Sequence, residues 1–354
     1  MNAIGNPVQM LQFITQPAFL VKNGVITEIN DAAASRQINV GASIYEMITF
    51  GSDDYKGFAS GKLYLSLNVG MAWVSICNGF HLFTLEDSFS SPELRAFALA
   101  AQHLRAPLSN AVSGMEFIMQ ETDSADAELK EQLSQINRSL YQMIRAVCNM
   151  SDVSQIGITN RANIKLCNAR QTFGEIFEKA TNLTENTGHS IQFRNLKQDL
   201  ECDLDSSLIE RAVLNMISNA IKFSSAGSCV SATLKLKGNR LALTIENSIQ
   251  DGQSRIFGNA FNRFLREPGI ESSQIGIGLG MSIISRAASV HNGTILLNLS
   301  RNGIVKITLS VPTHTTNVAT AKSPIILLDG YTGGLDNYLV ELSDILPNSL
   351  YKII

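Results

Sequence analysis

Two runs of apolar residues at alternating steps of three and four, split by a short polar break, constrain this chain most. Leu94, Phe97, Ala101, Leu104, Leu108, Ala111, Met115 and Ile118 make the first run. Leu129, Leu133, Ile136, Leu140, Met143, Val147 and Met150 make the second. Such a seam is the mark of helices in a bundle or coiled coil. Ser91-Pro92-Glu93 is a helix start, and Thr122 to Asp126 supplies a turn. A two-helix hairpin cannot bury its seam alone, so the pattern predicts that two hairpins pair into a four-helix bundle and that the chain is a homodimer. An intrachain bundle is the alternative, but the chain holds no further heptad helix to complete it.

A second feature lies far downstream. Gly276-Ile277-Gly278-Leu279-Gly280 leads into a helical pattern with Ile283, Ile284, Ala287 and Ala288. Glycines let backbone approach a ligand, and a helix N-terminus offers unpaired N–H groups to an anion. The run is neither a Rossmann fingerprint nor a Walker A loop, because the flanking glycine and Gly-Lys-Ser/Thr patterns are missing. Some sixty residues upstream, Ser207 to Ser224 reads as a helix. Asn215 and Asn219 stand one turn apart on it, with Lys222 close by. Two amide oxygens and an ammonium on one face suit Mg²⁺ with a polyphosphate, since magnesium takes oxygen ligands and keeps substrate phosphates. The alternative is a surface helix with two solvated asparagines.

Together these segments resemble the ATP-binding domain of sensor histidine kinases, within the ATPase superfamily shared with gyrase, the Hsp90 chaperones and MutL. Asn215, Asn219, Lys222 and Phe223 match the N box. Phe261 to Arg266 resembles the F box of the lid. Gly276, Gly278, Leu279 and Gly280 match the G2 box, and His291-Asn292-Gly293 resembles the His-Gly-Gly turn that follows it. The strand Ile304 to Val311, closed by Pro312, matches the last strand. The resemblance implies a Bergerat-type α/β sandwich over residues 158–314 that binds ATP and Mg²⁺. It implies Asn219 as the metal ligand, Asn215 and Lys222 near the phosphates, and Phe223 near the base. One box departs from the pattern. Asn247 stands where the family has an Asp that accepts from the adenine amino group, so the acceptor is neutral here and the weaker for it.

The hairpin, residues 91–157, also resembles the dimerisation and phosphotransfer region of these kinases. Gln102-His103-Leu104-Arg105-Ala106-Pro107-Leu108 aligns with the H box through Leu104, Arg105, Pro107 and Leu108. That alignment puts Gln102 at the phosphoacceptor position and His103 one place later. A glutamine amide is no nucleophile for phosphate, whereas an imidazole is. His103 is therefore the candidate acceptor, displaced by about 100° around the helix axis from the matched position. Pro107 in mid-helix is expected to bend it. Two readings follow. One is an ATP-dependent protein histidine kinase of a two-component system that acts on a response regulator receiver domain. The other is a pseudokinase, a dimeric nucleotide-binding scaffold.

The first ninety residues alternate as strands around an Asn23-Gly24 hairpin turn, with further strands at 62–69, 71–77 and 80–85 separated by Gly70 and Asn78-Gly79. Two strands, short helices and three strands resemble a PAS domain, which implies either a small ligand or a filled core serving dimer contacts. The whole is thus expected to be an α+β multidomain chain: a PAS-like sensor (1–90), the hairpin, the ATP-binding sandwich, and an extension over 315–354. In the extension, 313–323 reads as a linker, 324–329 as a strand and 336–346 as a short helix that docks on the ATP domain or on a partner. Net charge is −3 with no basic block, which argues against nucleic acid. No apolar run approaches a membrane span, no signal peptide is visible, and the five cysteines form no Cys-x-x-Cys pair. These features predict a cytoplasmic protein with reduced thiols.

Overall fold

A computed structural model describes residues 7–86, 92–121, 127–155, 163–249, 279–300, 302–314 and 334–352. The N-terminal part contains α1 (Pro7–Leu11), β1 (Ala18–Lys22), β2 (Val25–Ile29), α2 (Asp31–Ala34), α3 (Ile44–Met47), β3 (Ile48–Phe50), α4 (Ser52–Lys56), β4 (Lys62–Leu67), β5 (Gly70–Cys77) and β6 (Phe80–Leu85). Asn23 (φ 52°) and Gly24 (φ 79°) are both left-handed, as the tight turn between β1 and β2 requires. The turn between β4 and β5 is Asn68-Val69, not Gly70. Gly70 (φ 130°) opens β5 itself, so its backbone freedom is used at the strand entry.

The hairpin follows as α5 (Pro92–Glu121) and α6 (Ala127–Gln155), with the expected break at 122–126 outside the described residues. α5 runs unbroken through Pro107. Beyond it lie β7 (Lys165–Asn168), α7 (Ala169–Thr184), β8 (Ser190–Arg194), β9 (Glu201–Leu204), α8 (Ser206–Phe223), β10 (Cys229–Lys237), β11 (Arg240–Ser248), α9 (Leu279–Val290), β12 (Thr294–Leu299), β13 (Ile304–Pro312) and α10 (Asn337–Glu341). Period-two burial explains the sheet: Leu241, Leu243, Ile245 and Asn247 on β11, and Val305, Ile307, Leu309 and Val311 on β13, all point into one core. α7, α8 and α9 contribute Phe173, Phe177, Ile209, Val213, Ile217, Ile284 and Ala287 to that core.

The strands before and after the hairpin belong to one sheet, ordered β2-β1-β6-β5-β4-β12-β13-β11-β10-β8, with β3 beside β4. The join is antiparallel, with Tyr64 opposite Ile295 and Lys62 opposite Leu297. Two edges that would otherwise leave ladder groups unpaired satisfy each other. Gly61, with φ +86°, makes the approach possible: a Cβ there would lie 2.1 Å from Leu297 O. Beside it the Thr294 hydroxyl donates to Asp54 Oδ2 at 2.6 Å.

The hairpin departs from the expected single seam. α6 carries a second stripe, Asn137, Tyr141, Ile144, Arg145 and Cys148, buried against α9 and the C-terminal segment. The expected seam is left half open, with Leu104 52% and Met143 46% exposed. Replacing Gly61 with Ala is expected to loosen the join at a cost of about 1–3 kcal/mol. Amide exchange at residues 62–64 and 295–297 should quicken, while β10 and β11 keep their protection.

Candidate functional site

α8 is almost wholly buried, so the alternative of a surface helix with two solvated asparagines is overturned at Asn215, which is 0% exposed. Its start is fixed twice. Asp205 is the N-cap and accepts from Leu208 N at 3.1 Å. The Asp205 N–H donates to His291 Nε2 at 2.9 Å, and His291 Nδ1–H donates to Ala287 O at 2.7 Å. This histidine, in the turn after α9, is therefore neutral, with both nitrogens engaged. Burial lowers its pKa below the usual histidine value. Gly293 follows because a Cβ there would lie 2.6 Å from Ser310 O.

The helix brings its amides to the start of α9. A Cβ added at Gly280 would sit 3.0 Å from Asn215 Oδ1 and 3.6 Å from Asn219 Nδ2. The paired amides and the last glycine of the run thus meet, sixty residues apart in sequence. Asn215 is fully engaged: Nδ2 donates to Arg211 O and to Glu341 Oε2, both at 2.9 Å, and Oδ1 accepts from Arg145 Nη2 at 3.1 Å. Asn219 is partly exposed, and its side chain makes no hydrogen bond among the described residues. Lys222 Nζ lies 3.4 Å from Asp344 Oδ2. Phe223 packs half-buried against the core.

On the sheet beneath, Asn247 is 5% exposed and its Nδ2 has no partner among the described residues. A buried amide N–H without an acceptor costs roughly 1–3 kcal/mol, which a ligand with an acceptor would recover. Phe261, Gly276 and Gly278 lie outside the described residues. Leu279 begins α9, and its side chain is likewise not described. The donor set fits a magnesium nucleotide: Asn219 offers a hard amide oxygen, Gly280 clears space beside it, and Lys222 adds a cation.

The hairpin residues are elsewhere. His103 and Pro107 are exposed on α5, and Arg105 is half-buried and engaged. Gln102 lies in the same helix turn, its side chain outside the description. Sequence reasoning missed Arg145, Arg211, Glu341 and Asp344, which surround Asn215 and Lys222. The one signal was an arginine at a helical position in step with Tyr141 and Cys148.

A sandwich of helices on a mixed sheet, with an asparagine pair facing a glycine at a helix start, defines an ATPase domain of the histidine kinase and gyrase type. Residues 204–315 match the family described as histidine kinase-, DNA gyrase B-, and HSP90-like ATPase. That segment belongs to the family, and the chain is related to the sensor histidine kinases. It is 28% identical over 115 residues to sensor histidine kinase YvrG of Bacillus subtilis, covering 32% of this chain and 20% of the relative. It is 23% identical over 226 residues to sensor histidine kinase CusS of Escherichia coli, covering 63% and 45%. Among solved structures, full-length ShkA in complex with AMPPNP covers 63% of this chain and 47% of that one, with 18% identity and a TM-score of 0.47. The chain spans less than half the length of these relatives.

The neutral His291 gives a pH dependence. Its folded-state pKa is lowered, so its contribution to stability is complete above the unfolded value of about 6.5 and is lost as pH falls below it. Thermal melts from pH 7.5 to 5.5 should show a falling Tm in the parent, with a smaller fall in His291→Gln from a lower starting point.

Proposed function

We propose that this chain is a homodimeric sensor of the two-component class that binds Mg·ATP between α8 and α9 and acts on the receiver domain of a response regulator in the cytoplasm. The observation that carries the reading is the meeting of Asn215 and Asn219 with Gly280. Asn219 would hold the magnesium ion, and Lys222 would face the phosphates. The metal would supply positive charge to the phosphate oxygens. Asn215 fixes the floor, since its own bonds hold it in place. Asn247 would meet the base.

Other features support the rest of the reading. The half-open seam on α5 and α6 is an apolar face of the kind a second copy covers, with Ile118 49% and Ile136 48% exposed. The sheet order β2-β1-β6-β5-β4 with short helices after β2 supports a PAS-like sensor over residues 1–90. Its interior is filled by stacked Phe19 and Phe83, centroids 4.9 Å apart, which favours contacts over a bound ligand. Among the described residues no helix is long and apolar enough to cross a membrane.

For the chemistry, His103 has the exposure a phosphoryl acceptor needs, and its imidazole is the nucleophile of the pair. The second reading, a scaffold that binds nucleotide without phosphotransfer, is favoured by Gln102 at the matched position and by the neutral Asn247. Two measurements test the proposal. Calorimetry with Mg·ATP should show binding that Asn219→Ala weakens by at least about tenfold, the scale of a lost metal ligand; equal binding by the variant would refute the site. Incubation with γ-labelled ATP then divides the readings. An acid-labile, base-stable label that disappears in His103→Ala establishes the kinase, and bound nucleotide without label establishes the scaffold.

A further inference from the structure

The C-terminal segment brings two carboxylates to the helix that carries the asparagine pair. α10 is capped by Asp336, which accepts from Tyr338 N at 2.7 Å. Tyr338, Val340, Leu342 and Leu346 sink into the ATPase core and fix the segment between α6 and α8. Glu341 is 0% exposed, with one oxygen 2.8 Å from Arg211 Nε and the other 2.9 Å from Asn215 Nδ2 and 3.6 Å from Arg145 Nε. Asp344 Oδ2 lies 2.8 Å from Arg145 Nη1 and 3.4 Å from Lys222 Nζ. Arg138 clamps the backbone between them, donating to Ser343 O and Asp344 O at 3.0 Å each.

Four cations, Arg138, Arg145, Arg211 and Lys222, thus gather at a segment with two carboxylates, Glu341 and Asp344. Arg145 is only 7% exposed, yet among the described residues its Nε and Nη1 have no aligned acceptor; the contact to Asp344 is close but poorly angled for a hydrogen bond. A buried guanidinium with unspent donors is costly unless an anion with more oxygens can take them. Arg211, Asn215 and Lys222 lie along one strip of α8, Asn215 also faces Gly280, and the nucleotide reading sets Lys222 toward the phosphates. The acidic segment and a polyphosphate in the α8–α9 cleft therefore compete for the same ammonium and the same amide.

We propose that Arg145, Arg211, Lys222 and Asn215 form a polyanion site whose internal ligand is the C-terminal segment and whose exchange ligand is the triphosphate of a magnesium nucleotide. The proposal rests on the nucleotide reading above and adds its regulation. Nucleotide enters when Asp344 and then Glu341 yield, and Arg145 transmits the exchange to the hairpin because it belongs to α6. The segment thereby lowers nucleotide affinity and links site occupancy to the packing of α6.

The test uses the full chain and Mg·AMPPNP. Asp344 stands at the rim, so Asp344→Asn should fold; it frees Lys222 and should bind about tenfold tighter than the parent, the scale of one charge-assisted contact. In the parent, saturating Mg·AMPPNP should quicken amide exchange at residues 337–346. Equal or weaker binding by Asp344→Asn, with unchanged exchange in that segment, overturns the proposal and leaves the nucleotide reading standing. Failure of both proteins to bind Mg·AMPPNP at millimolar concentration overturns the nucleotide reading, and the proposal with it.

Discussion

The buried amide of Asn215 is the contact on which the arrangement depends. Its three hydrogen bonds reach α6 through Arg145, its own helix through Arg211 O, and the C-terminal segment through Glu341, while Gly280 of α9 closes over its oxygen. A carboxamide without exposure must be satisfied by protein. Here each bond draws in a different part of the chain. Two arginines and a glutamate enter a region that would otherwise exclude charge, and they do so together because none is tolerable alone. Removing Glu341 takes the shared buried carboxylate from both arginines. That dependence holds the hairpin, the ATPase helices and the C-terminal segment in register.

A second constraint comes from the sheet. β4 and β12 are edges of two separately patterned sets of strands, and backbone bonding makes them neighbours. β12 follows α9 after a turn held by His291 and Gly293, so β4 is joined through β12 to the helix that carries Gly280. Arg240, whose Nε donates to Ser310 Oγ and lies 3.8 Å from Asp54, ties the same junction from the other side.

Much of the site was legible because its chemistry is concentrated in short motifs. Asn215, Asn219 and the glycines announce an asparagine helix facing a glycine turn, and the structure brings Gly280 against both amides. The hairpin was legible from its seam. The second stripe on α6 was hidden because Asn137 and Arg145 interrupt its apolar character. The strand join was hidden because edge pairing is made by backbone groups, which leave no mark beyond a glycine such as Gly61. Glu341 was hidden by distance: it meets Asn215 across 126 residues, and a lone glutamate in a short apolar helix looks like its solvated face.

The central claim is that Asn219 carries the metal of a bound nucleotide. Side-chain amide resonances of selectively labelled asparagine, recorded with Mn²⁺ in place of Mg²⁺, address it directly. The account predicts that the Asn219 amide broadens only when Mn²⁺ and a non-hydrolysable ATP analogue are present together. An Asn219 signal unchanged at saturating analogue, or broadened equally by Mn²⁺ alone, would contradict it.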